Sequence, residues 1–135
     1  MATEVANRYT VRFLEALGEP FPAGTTVSKQ IDLYCGVFQK SFAETGRTCL
    51  CGMFSNEANL LPVSLREAIG TFVDANIEWL TRALAGPVEP EADWGIFERK
   101  ARSIYAALEG AIGVAALKDD SGWLVDVSEE LLQSI

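Results

Sequence analysis

Apolar residues recur every three or four positions along nearly the whole chain, the spacing of helices with one buried face. Over residues 3–17 the stripe is Val5, Ala6, Tyr9, Phe13, Ala16 and Leu17, and Gly18 followed by Pro20 and Pro22 ends it. Residues 26–44 repeat the pattern with Val27, Ile31, Tyr34, Cys35, Phe38 and Phe42, up to Gly46. From Thr48 to about Leu60 the spacing of Leu50, Met53, Phe54, Glu57 and Leu61 is again three-four. Ser64 and Glu67 in SLRE have capping-box spacing at the head of the strongest stripe, which includes Leu65, Ile69, Phe72, Asn76, Trp79 and Leu80 and ends at Gly86-Pro87. After the loop GPVEPEAD, residues 94–117 form another long helix, with Phe97, Ala101, Ile104, Tyr105, Leu108 and Ile112 on one face. KDDSG at 118–122 breaks the chain, and a last helix over 124–135 aligns Leu124, Val127, Leu131 and Ile135. The expected fold is all-α, about six helices and no strands. No repeat of 20–50 residues suggests a solenoid.

GRTCLCGMF, residues 46–54, holds two of the three cysteines, one residue apart. In a strand Cys49 and Cys51 would share a side and could reach one ion. In a helix they diverge by roughly 200°. Strict alternation leaves both sides of this stretch apolar, and nothing else in the chain reads as a partner strand. The helix is therefore the better reading, and both cysteines become small residues at helix contacts. No metal or redox site is expected.

Length and composition fit one domain, 1–135, with 49% hydrophobic residues to fill a core. Eleven basic residues stand against 19 acidic ones, a net charge of −8, which disfavours gripping nucleic acid or an anionic membrane. The chain has no histidine, so the usual neutral-pH general base and commonest metal ligand are missing. Three cysteines cannot form a complete intrachain disulfide set. MATEVANRYT is not a signal peptide, and no apolar run reaches the roughly 20 residues of a membrane helix. The expectation is a cytoplasmic chain with no membrane association. No phosphate loop, nucleophile elbow or zinc-protease motif is present, so nothing marks an enzyme, and no cofactor is expected.

Two polar residues interrupt apolar stripes, Glu57 and Asn76. A polar group there either finds a hydrogen bond within the fold or lines a cavity, because leaving it unpaired costs roughly 1–3 kcal/mol. Phe38, Phe42, Phe54, Phe72, Trp79 and Tyr105 supply aromatic surface from four helices. They fit a solid core, and they equally fit an apolar pocket with a few polar anchors. A second face of 94–117 is built of small residues, among them Ser103, Ala106, Ala107, Gly110 and Gly113. Each interior glycine costs about 0.5–1 kcal/mol relative to alanine, which points to close approach by another helix, from this chain or from a second copy.

VANRYTVRFLEALGEP, GRTCLCGMFSNEANLLP and ARSIYAALEGAIGVAALKDD together resemble the C-terminal, effector-binding and dimerisation part of TetR-type transcriptional repressors. The resemblance spans essentially the whole chain through loose patterns. It implies that residues 1–17 are the connecting helix and that 26–85, with the inner face of 94–117, surround a pocket for a small, largely apolar effector. It also implies a homodimer in which 94–135 forms a four-helix bundle with its twin. The pocket-lining residues expected are Phe38, Phe54, Glu57, Phe72, Asn76, Trp79 and Tyr105. The expected dimer contacts are Ala106, Gly110, Gly113, Leu117, Leu124 and Leu131. Such repressors read DNA through an N-terminal helix-turn-helix, and none is found in this sequence, so operator binding is not expected of it alone. The competing expectation is a small homodimeric interaction protein without a pocket. An enzyme using buried carboxylates ranks third.

Overall fold

A computed structural model describes residues 2–45, 60–87 and 93–135, and these residues form five helices. They are α1 (Ala2–Leu17), α2 (Val27–Thr45), α3 (Val63–Ala85), α4 (Trp94–Lys118) and α5 (Gly122–Gln133), with no strand among the described residues. The all-α expectation holds, with boundaries within two residues of those read from periodicity. The sixth helix, over 48–60, lies almost wholly outside the described residues, and so do Cys49 and Cys51. No helix among the described residues is long and apolar enough to cross a membrane.

α3 is the central element. It packs against α1 and α2 on one side and α4 on the other, and α5 closes the far end against α4 and α2. The reason is its sequence: Leu65, Ile69, Phe72, Asn76, Trp79 and Leu80 make a broad stripe, and all are buried. The α1 stripe is narrower than the sequence suggested. Val5 and Ala16 face solvent, while Ala6, Thr10, Phe13 and Leu17 are buried at a strict i, i+4, i+7, i+11 spacing. Thr10 is tolerated on that line because its hydroxyl donates to the Ala6 carbonyl at 3.0 Å.

The helix ends are also chemically specific. Gly18 terminates α1 at φ +72°, a left-handed conformation that costs glycine little, and its N–H closes onto the Leu14 carbonyl at 3.0 Å. Gly86 does the same for α3 at φ +58°, and the Phe21 ring lies where a side chain on Gly86 would project. Asp93 caps α4 by accepting from the Gly95 N–H at 2.9 Å. The capping box expected at Ser64 and Glu67 does not form. α3 starts two residues earlier, after Pro62, with no side-chain cap, and the Ser64 hydroxyl instead meets that of Thr3 at the start of α1, 3.4 Å away.

Candidate functional site

Four of the seven residues expected to line a pocket come together. Phe38 from α2 and Phe72, Asn76 and Trp79 from α3 share one packed cluster with Tyr9, Phe13 and Tyr34. Phe13 is the hub: its ring meets Phe72 at 5.2 Å and Phe38 at 5.6 Å in edge-on geometry, which suits aromatic quadrupoles. Tyr34 stacks on Trp79 at 5.7 Å.

The buried polar atoms of the cluster are satisfied by the fold. Tyr34 donates its hydroxyl proton to Asn76 Oδ1, and Asn76 Nδ2 donates to the Phe72 carbonyl at 2.8 Å. Asn76 is 0% exposed, so it sits in the stripe as one link of a closed hydrogen-bond chain. Trp79 reaches further. Its indole N–H donates to the Gly18 carbonyl at 2.9 Å, tying α3 to the C-terminal end of α1. Gln30 of α2 adds two more ties to the same turn, donating to the Glu19 and Pro20 carbonyls at 3.2 and 3.0 Å. The turn that leaves α1 is therefore gripped by both α2 and α3.

Tyr105 is placed elsewhere, on the opposite flank of α3. It lines an open groove of about 770 Å³ between α3 and α4. Val73 and Ile77 of α3 and Trp94 and Tyr105 of α4 give the groove its apolar surface. Its charged rim carries two i, i+4 ion pairs, Glu78–Arg82 at 2.8 Å and Glu98–Arg102 at 2.7 Å, together with Asp74. Periodicity missed this groove, because it is made by the edges of two stripes and becomes a concavity only once α3 and α4 are packed. Phe54 and Glu57 lie outside the described residues.

The residues expected at a dimer contact mostly share the outer surface of α4 and α5. Ala106 and Gly110 are exposed, Gly113 and Leu131 are half-buried, and Leu117 is 84% exposed. Among the described residues a side chain added at Gly110 would meet nothing within 4 Å, so no contact with them explains this glycine. Trp123 and Val125 of α5 are exposed as well. Leu124 is different: it is 1% exposed and belongs to the chain's own core, because α5 turns that face onto α2 and α4. Leu124 therefore seats α5 and offers no surface to a partner. Among the described residues no group of histidine, cysteine and acidic side chains is arranged to hold a metal ion.

No protein-family model matches the sequence, and no curated protein matches it either. The solved structure of a TetR transcriptional regulator from Legionella pneumophila is similar over 99% of this chain and 72% of that one, with a TM-score of 0.88 at 23% identity. The fold is TetR-like. At that identity the likeness speaks for the arrangement of the helices, and the TetR-like fold here comprises the gripped α1, the aromatic cluster beneath it and the α4–α5 pair.

Proposed function

We propose that this chain is the ligand-sensing and dimerisation part of a transcriptional regulator of the TetR type. The observation that carries the proposal is the TetR-like arrangement of essentially the whole chain. The effector is small and largely apolar, and it enters at the α3–α4 groove, where Tyr105 meets it. Phe38, Phe72, Asn76 and Trp79 form the packed wall behind α3, with Phe54 and Glu57 completing the expected set. α1 is the connecting helix. A shift of α3 on ligand binding would pass through the Trp79–Gly18 hydrogen bond to the end of α1, and so alter the spacing of two DNA-reading heads that must match about 34–36 Å on the operator. Those heads would belong to a helix-turn-helix outside the residues described. The ligand acts only by favouring one α1 position over the other. The outer face of α4 and α5 pairs with a second copy. The protein is not an enzyme, it works in the cytoplasm, and it needs no cofactor.

A thermal-shift screen against lipophilic compounds tests this reading. A ligand present at 100 times its Kd stabilises the folded chain by about 2.7 kcal/mol. Hits are expected, and Tyr105→Ala should weaken their binding more than it weakens self-association. Equal loss of both would remove Tyr105 from the ligand site. A panel without hits, on a chain that still self-associates, favours the second reading of an interaction protein, for which the close packing of the aromatic cluster already speaks.

A further inference from the structure

We infer that the α3–α4 groove takes an organic cation with an apolar body, an assignment of ligand class that rests on reading this groove as the effector site. The argument is one of charge and surface. Val73, Ile77, Trp94 and Tyr105 offer an apolar and aromatic lining, and Trp94 is 41% exposed, so its indole is available for contact. The rim holds three carboxylates and two guanidiniums. Each guanidinium is already bound to a carboxylate four residues away on its own helix, Arg82 to Glu78 and Arg102 to Glu98. Asp74 is left over, and among the described residues no hydrogen bond or ion pair engages it. The groove thus carries one carboxylate unpaired among the described residues, and two aromatic rings line the same groove.

That combination favours a positive charge twice. A cation over the face of tryptophan or tyrosine is drawn to the ring quadrupole, and the nearby carboxylate attracts it further. An anion finds the reverse. Each guanidinium it could approach stands beside a carboxylate, Glu78 or Glu98, which repels it. At the N-terminus of α4, next to Trp94, the Asp93 carboxylate already accepts from the Gly95 N–H and sets a further negative charge against an anion. The surrounding chain, at net −8, adds to the bias.

Tetraphenylphosphonium and tetraphenylborate have nearly the same size and shape and opposite charge, so they separate this claim from simple lipophilicity. Their binding to the full 135-residue chain is measured by titration calorimetry, alongside Asp74→Asn and Trp94→Leu. The inference predicts that the phosphonium binds at least tenfold more tightly than the borate. It also predicts that Asp74→Asn removes most of that preference, and that added salt weakens phosphonium binding. Comparable binding of both ions, abolished by Trp94→Leu and indifferent to Asp74→Asn, would overturn the cation assignment while leaving the groove as the site. Binding of either probe that ignores both substitutions would overturn the groove itself, as would failure of both probes to bind.

Discussion

Asn76 illustrates what a single polar residue does inside an apolar stripe. Removing it takes the Asn76 acceptor away from the buried Tyr34 hydroxyl, so Asn76→Ala should cost about 1–3 kcal/mol in urea unfolding. Tyr34→Phe in the same background should then cost less than it does alone, because the Tyr34–Asn76 bond it breaks is already gone. Additive costs would show that the two side chains do not depend on each other. Cys35 supports a different prediction. Burial pushes its thiol pKa up; the Ser128 hydroxyl opposes this and the Asp32 carboxylate adds to it. A thiol pKa raised by folding favours the folded state fully at lower pH. The advantage is lost as pH rises past the unfolded thiol value, about 8.5, because the unfolded chain ionises first. Stability should therefore fall between pH 8 and pH 10, and the fall should be smaller in Cys35→Ala; an equal fall in both proteins would contradict the assignment. Periodicity identified Asn76 and Cys35 as stripe residues, yet it was silent on their partners. Tyr34 lies 42 positions from Asn76, and Gly18 lies 61 from Trp79, so those contacts exist only after the helices pack.

The elements themselves were legible because each carries a 3.6-residue stripe bounded by glycine, proline or a capping acid. Two readings failed for local reasons. The Ser64–Glu67 spacing matched a capping box, but Pro62 lets the helix begin at Val63 and carries Ser64 past the cap position. Val5 matched the α1 stripe, but the helix is rolled so that Thr10 lies inward and Val5 outward. The small-residue face of α4 was legible as a feature, and the structure narrows its meaning, since Gly110 meets no neighbour among the described residues. Gly110→Leu should therefore leave the folded chain intact, with unchanged helical circular dichroism, and should yield monomers in sedimentation. A variant that unfolds, or one that remains a dimer, would contradict the placement of Gly110 at the contact between copies.

At the scale of the molecule, an all-α chain was readable from the stripes and breaks, the TetR-like arrangement was implied by the resemblance, and the central place of α3 emerges only from the packing. The site was readable only in part. The cluster around Phe72 and Trp79 was foreseen as a group because its members lie on the inner stripes. The α3–α4 groove was not foreseen, since Asp74, Glu78, Glu98 and Arg102 read as a solvated surface until two helices bring them face to face. The account as a whole requires the exposed side of α4 and α5, with Leu117, Trp123 and Val125 uncovered in the single chain, to be buried by a second copy. Light scattering on the purified chain at tens of micromolar measures this directly. The account predicts a single species of twice the 14.7 kDa chain mass. A species of the chain mass alone, still folded and helical, would contradict it.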